Sequence, residues 1–399
     1  MKKLIALSLA MLFLGAGIAS ATDFSLTGSY FVRGTYAENK DGRDTDTDGF
    51  GDYDHELSLD ANWKIDDTSR VFARFEARDD TWADSANPTE GSSGGDLANL
   101  DDNWVVEQVW GTHTFASGAD IQVGLMSAGA WAYDFGNEGG EAYRIKGTMP
   151  MAFGTLIGIL QKNKESGEAD DADSDTYYLG LVSKLGNVNF KPLLVYSQND
   201  DTEVDSISVD IAIDGTMGNI GWEVEGVYSD FSSDNPAVAD FDLHGIYGNV
   251  WTQVNALKVG ALAAYGSYDE DSGNGFQFGD DFAAGGALLL GDDVFLLKGD
   301  ADANDIQAAT LFAVYASYAV NNKLTLGAYL GYADSNVDDA TSIYDDANAW
   351  EVSVNGSYKI TSNVKYSVAA GIAEVDLGPA ATIDPDEAIE INHKLSFSF

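Results

Sequence analysis

All six arginines of this 399-residue chain lie between Arg33 and Arg144, and none follows. Arg33, Arg70, Arg74 and Arg78 sit on the polar side of segments whose apolar and polar residues alternate, so β-strands would project each of them with its segment's other polar groups. The stretch that follows, 79–102, carries Asp79, Asp80, Asp84, Glu90, Asp96, Asp101 and Asp102, with Gly91, Gly94 and Gly95 to let it fold inward. Guanidinium groups facing carboxylates across a narrow space set up a transverse field, which orients polar solutes and admits small ions. The competing reading is that the arginines neutralise carboxylates of neighbouring strands, such as Glu56 or Asp60.

A second set has the types and spacing to hold a hard cation. Asp44-Thr45-Asp46-Thr47-Asp48-Gly49 matches the first half of a calcium loop, with carboxylates at every second residue, a glycine for the sharp turn and Asp52 close behind. The match then fails, because the place of the bidentate acid holds His55 and Glu56 comes one residue late. Calcium or magnesium bridging this loop stands against a plain solvated acidic loop. Little else reads as chemistry. The four histidines are dispersed, no G-x-S-x-G, H-E-x-x-H or P-loop pattern occurs, and zero Cys removes thiol nucleophiles, disulfides, Cys-ligated zinc and iron–sulfur clusters. No enzyme and no cofactor beyond that cation is read here.

The balance of 65 Asp+Glu against 21 Lys+Arg, a net charge of −44, excludes nucleic acid as a partner, since phosphates must be met by clustered bases. Acidity of this degree usually means disorder, but 45% hydrophobic and 12% aromatic residues must be covered by something. Lys2 and Lys3, the apolar run 4–14 and the ending Ala19-Ser20-Ala21 have the order of a secretory signal peptide, giving 1–21 as signal and 22–399 as the mature chain. No later apolar run reaches the roughly 18 residues of a spanning helix; 308–320 is the best candidate.

What recurs instead is a two-residue period. Val71, Ala73, Phe75 and Ala77 alternate with Arg70, Arg74, Glu76 and Arg78; Trp222, Val224 and Tyr228 with Glu223, Glu225 and Ser229; Trp350, Val352 and Val354 with Glu351, Ser353 and Asn355. Each segment is about ten residues long, enough for a tilted strand to cross a bilayer with one face to lipid and one to a polar lumen. The last segment puts Ile389, Ile391, Leu395, Phe397 and Phe399 on one face and Glu390, Asn392, Lys394, Ser396 and Ser398 on the other. Short turns alternate with long acidic stretches, and five of the six prolines fall in connections; Pro192 lies inside a strand and predicts a local defect.

A signal peptide, two-faced strands throughout and a terminal strand closing on Phe399 resemble a Gram-negative outer-membrane porin. The resemblance covers the whole mature length. It implies an all-β fold, a single transmembrane antiparallel up-and-down barrel of 18 to 20 strands, with short periplasmic turns and long acidic extracellular loops. The uncertainty of one hairpin sits in 282–307. It further implies localisation in the outer membrane, contact with its lipid and lipopolysaccharide, recognition of the Phe399 strand by the barrel assembly machinery, and compatibility with a homotrimer. The function implied is passive diffusion of small hydrophilic solutes and ions, with acidic loops favouring cations. The pore constriction would be formed by Arg33, Arg70, Arg74 and Arg78 facing Asp79, Asp80, Asp84 and Glu90 of an infolded loop. The alternative is a barrel that sheathes a multihaem cytochrome in an electron conduit.

Overall fold

The computed structural model describes residues 23–38, 50–77, 104–127, 129, 131–136, 140–165, 173–235, 238–279, 282, 308–382 and 387–399. They form strands β1 (Asp23–Glu38), β2 (Phe50–Lys64), β3 (Ser69–Ala77), β4 (Trp104–Thr114), β5 (Asp120–Ser127), β6 (Glu141–Met151), β7 (Gly154–Lys164), β8 (Ser174–Leu185), β9 (Val188–Asn199) and β10 (Val204–Met217). The chain continues as β11 (Ile220–Ser233), β12 (Phe241–Val254), β13 (Leu257–Gly266), a two-rung hairpin β14 (Tyr268–Asp269) and β15 (Asn274–Gly275), then β16 (Ala309–Ala319), β17 (Leu324–Ser335), β18 (Asn348–Lys359), β19 (Val364–Asp376) and β20 (Ala388–Ser398).

Apart from that hairpin, every strand pairs antiparallel with its neighbours in chain order, β13 with β16, and β20 closes on β1 from Ser29 opposite Ser398 to Glu38 opposite Ile389. The result is a closed barrel of 18 strands. Residues 283–307, where one further hairpin was expected, lie outside the described residues, but β13 pairs directly with β16 and the ring closes with 18 strands, the lower of the two expected counts. Closure satisfies every strand edge, the condition for β-structure in a lipid environment. Eighteen strands spaced about 4.8 Å apart and tilted about 40° give a backbone diameter of roughly 36 Å.

Register decides which side chains share a face. Pairing of Asp60 with Arg74, Ser58 with Glu76 and Lys64 with Arg70 puts these polar groups on one side, while Leu59 and Phe75 share the other. The apolar side faces out all round: Leu179, Val224, Ile246, Phe312, Leu330 and Val354 are all exposed on the barrel's outer surface. Large apolar side chains left uncovered in this number belong against hydrocarbon, and the aromatics Tyr177, Tyr196, Tyr228, Tyr265 and Tyr332 near the loop ends supply the interfacial girdle.

Two proline expectations meet the structure. β6 runs to Met151, so Pro150, expected in a connection, stands in a strand end. Pro192 is matched to Ile211 on the β10 side, but on the β8 side the ladder is interrupted between Gly180 and Ser183 with no change of register. The anticipated defect is therefore a gap in pairing. Residues 1–22, the aspartates Asp44, Asp46 and Asp48, and the stretch 79–102 lie outside the described residues.

Candidate functional site: the barrel lumen

The gap beside Pro192 has a use. The segment 131–136, in the connection between β5 and β6, turns into the barrel, and the Trp131 indole N–H donates to the Lys191 carbonyl (2.9 Å), next to the interruption. Its ring lies over Gly180, where a Cβ would collide with it. Two residues on, the Tyr133 backbone N–H donates to Glu225 Oε2 (3.2 Å) and its hydroxyl donates to Asp214 Oδ1 (2.8 Å). The Lys191 ammonium stands 4.8 Å from the Tyr133 ring centre and 3.2 Å from Asp214, which also accepts from the Asn189 amide at 2.5 Å. Burial, and after it the Asp214 carboxylate, holds the Tyr133 hydroxyl protonated well above the ordinary phenol range, so it remains a donor throughout the physiological range.

Phe135 completes the anchorage. It is fully buried and lies 5.7 Å from Tyr247 of β12, 5.4 Å from Phe276 and 5.1 Å from Phe278, ring centre to ring centre. Gly279 N–H donates to the Phe135 carbonyl at 3.0 Å, so a second infolded connection, between β13 and β16, meets the first. Their apolar contacts extend over the inner faces of Leu243, Leu262, Leu311, Ala313, Ala333 and Ala349. The alanines at 313, 333 and 349 leave radial room for the incoming rings. One side of the lumen is thereby filled by an apolar cluster. We expect Trp131→Phe, which keeps an aromatic side chain but removes the donor to Lys191 and part of the ring over Gly180, to lower unfolding stability by about 1 kcal/mol or more, read as a shift in the midpoint of heat-dependent gel migration.

The opposite wall is charged. Arg33 of β1 is inward and pairs with Asp54 of β2 (2.7 Å), and Lys394 of β20 stands across from it in register. Arg74 of β3 donates to both Asp60 oxygens (2.7 and 3.2 Å) and lies 3.7 Å from Glu107 of β4. Arg144 of β6 donates to Gln161 and to the Ser127 carbonyl, its guanidinium 5.5 Å from the Tyr178 ring. Arg70 is exposed near the short turn at 65–68, by the Trp110 ring, and so marks the rim of the barrel.

Of the expected constriction set, the structure thus places Arg33, Arg70 and Arg74 on the inner face but at different heights, and pairs Arg33 and Arg74 with carboxylates of adjacent strands. Arg78, Asp79, Asp80, Asp84 and Glu90 lie outside the described residues. For the cation loop, Asp52 belongs to β2, opposite Thr35, and Asp44, Asp46 and Asp48 are outside. Among the described residues no group of three or more acids and histidines is disposed to hold a metal.

Tyr133, Asp214, Lys191 and Glu225 were not singled out by the sequence. A signal existed: 308–320 is apolar on both strand faces, which a strand with lipid on one side and water on the other would not be. Covered on both faces, β16 reports the infolded cluster.

Charge is distributed unevenly round the wall. Nine strands from β1 stands β10, and nine from β3 stands β12. From 192 to 257, which spans β10 to β12, there is no Lys or Arg, while Asp210, Asp214, Glu223 and Glu225 are on the inner face. Asp210 and Glu225 are almost completely buried, 0% and 1% exposed, behind the infolded segment. Arg33 and Arg74, each beside a carboxylate of a neighbouring strand, therefore stand on β1 and β3, across the barrel from a stretch of wall that has acids and no arginine.

A closed up-and-down barrel with an apolar outside, a charged inside and a connection folded into the lumen is a transmembrane β-barrel of the porin type. The solved structures it resembles are outer-membrane porins. Pseudomonas aeruginosa OccK2 (OpdF), solved in complex with glucuronate, aligns with a TM-score of 0.62 at 11% identity over 94% of this chain and 98% of that one. A BenF-like porin from Pseudomonas fluorescens Pf-5 gives 0.62 at 12% over 95% and 99%, and Acinetobacter baumannii OccAB3 gives 0.61 at 11% over 94% and 100%. Identity this low makes the likeness one of fold. No protein-family model matches the sequence, and no curated protein matches it either.

Proposed function

We propose that the protein is an outer-membrane porin, exported by residues 1–21, through which small hydrophilic solutes and ions diffuse down their gradients with a preference for cations. The observation that carries this reading is the opposition of the Arg33 and Arg74 wall to the Asp214 and Glu223 wall, with Tyr133 held between barrel and lumen. Fixed charges of opposite sign across a narrowed aqueous path orient a dipolar solute without binding it tightly. Cation preference draws support from the overall charge of −44 and from the absence of bases over 192–257. In this reading Arg33, Arg70, Arg74 and Arg78, with Asp79, Asp80, Asp84 and Glu90, contribute the field, and the Phe399 strand is read by the barrel assembly machinery. The Asp44, Asp46, Asp48 and Asp52 loop takes up calcium, which titration calorimetry with and without chelator checks.

Purified protein in a planar bilayer tests the pore. Stable steps of conductance with a cation-favouring reversal potential in a salt gradient support it; silence removes it and favours a barrel sheathing another protein. Arg74→Gln leaves Asp60 and Glu107 uncompensated, so the cation-to-anion permeability ratio is expected to rise about twofold. An unchanged ratio would mean that the path avoids this wall.

A further inference from the structure

At the loop end of β11 and β12, beside the infolded segment, lies a cavity of about 320 Å³. That is the lower range for small-ligand sites. It lies apart from the Arg33 and Arg74 wall. It is lined by Gly136, Val227 and Leu243, by Phe231 and Phe241, which are matched across the two strands and stacked on each other at 4.5 Å with 14° between ring planes, and by Phe276 of the second infolded connection. Phe276 can come so close because Gly245 beneath it has no Cβ. The polar lining consists of Ser229, Asn274, Gln277 and the backbone of Gly136 and Gly275. The Ser229 hydroxyl is already engaged with that of Ser208 at 2.7 Å.

We propose that this cavity binds a hydrophobic cation, a small organic ammonium ion whose apolar body is an aromatic ring or branched hydrocarbon. This rests on the porin reading only for its consequence, the loading of such a solute at the mouth. The lining is mixed: the Phe231, Phe241 and Phe276 rings with Val227 and Leu243 suit a compact apolar body, and Ser229, Asn274 and Gln277 leave room for a polar head. The sign of the charge follows from the surroundings. The strands that build the site contain no Lys or Arg, and the loops at their ends carry Asp234, Asp240, Asp269 and Glu270. Carboxylates crowd there: Asp338 above all, together with Asp271 and Asp269, holds the Glu270 carboxyl above its ordinary range. Potentials of this kind decay over about 8 Å at physiological salt, so carboxylates on the connections that border the cavity favour a cation over an anion there. Phenyl faces add a cation–π attraction that an anion would not receive.

Titration calorimetry of the folded barrel in detergent, with benzylammonium, benzyl alcohol and benzoate as probes and protein-free micelles subtracted, tests the proposal. Benzylammonium should bind at one site about tenfold more tightly than benzoate, with benzyl alcohol between them. Phe231→Ala should weaken benzylammonium about tenfold. Asn274→Trp, on the exposed hairpin and outside the barrel wall, should abolish binding by filling the space, with folding verified by heat-dependent gel migration. Equal or tighter binding of benzoate, or binding indifferent to Asn274→Trp, overturns the proposal. A conducting barrel that ignores benzylammonium refutes this site and leaves the pore standing; a silent barrel that binds it does the reverse.

Discussion

Replacing 131–136 by a short glycine–serine linker should raise single-channel conductance about twofold and admit larger neutral solutes, since the resistance of an aqueous pore is set by its narrowest section. Within a backbone diameter of roughly 36 Å, inward side chains leave about 24 Å, and a segment bearing Trp131, Tyr133 and Phe135 removes a large share of that. The sequence root of the segment lies between β5 and β6, yet its anchors lie on β8 to β12, so it crosses much of the lumen before reaching Lys191, Asp214 and Glu225. Excision would leave Glu225, otherwise 1% exposed, open to the lumen and should strengthen cation preference as well. A milder version checks the cause. Gly180→Leu forces its side chain into the space of the Trp131 ring and should release the segment without shortening it, giving noisy current with excursions to the higher level. If excision leaves conductance and solute size limit unchanged, the narrowest section is elsewhere and the segment is only structural.

Gly28→Val is expected to abolish assembly of the closed barrel, with the heat-modifiable folded band in outer-membrane fractions falling by more than about tenfold. Gly28 bonds to Phe399 in both directions, its N–H donating to the Phe399 carbonyl at 2.9 Å and its carbonyl accepting from the Phe399 N–H at 3.0 Å. A Cβ at this position would stand 2.6 Å from the Ser58 carbonyl oxygen and 2.9 Å from the Phe399 ring. The backbone contact cannot yield as a flexible side chain would, so the last rung between the first and last strands would part. An opened seam exposes unpaired N–H and C=O groups to hydrocarbon, where each costs several kcal/mol. Phe397→Ala, which removes the ring 6.0 Å from that of Tyr30 but keeps all the backbone bonds, should be far milder. Equal losses from the two changes would locate the defect in recognition of the terminal strand, not in closure.

Much of the architecture was legible one residue at a time, because alternation along a strand is a local consequence of the pleat and because only a closed ring of such strands can put every apolar face outward and every polar face inward. Trp222, Val224 and Tyr228 announced their outward face, and Glu223 and Glu225 their inward one. The bias of arginine toward the first third of the chain likewise became an uneven wall simply because neighbours in sequence are neighbours round the barrel. Pro192 announced an interruption for the same local reason, the missing N–H.

The lumen was another matter. Sequence offered several acidic connections between strands, and 79–102, which lies outside the described residues, drew attention by its length and its place after Arg70, Arg74 and Arg78; among the described residues, the connection holding 131–136 and the one between β13 and β16 enter the lumen. Nothing local distinguishes a loop that enters from one that stays outside: the difference is made by an indole meeting the Lys191 carbonyl, a glycine leaving room at position 180 and a buried Glu225 accepting from Tyr133. Lys191 and Glu225 lie 60 and 92 residues along the chain from the Trp131 and Tyr133 groups they hold. Period and composition therefore determined that a barrel forms and which way it faces. What fills it was decided by contacts between distant strands, which exist only once the ring has closed.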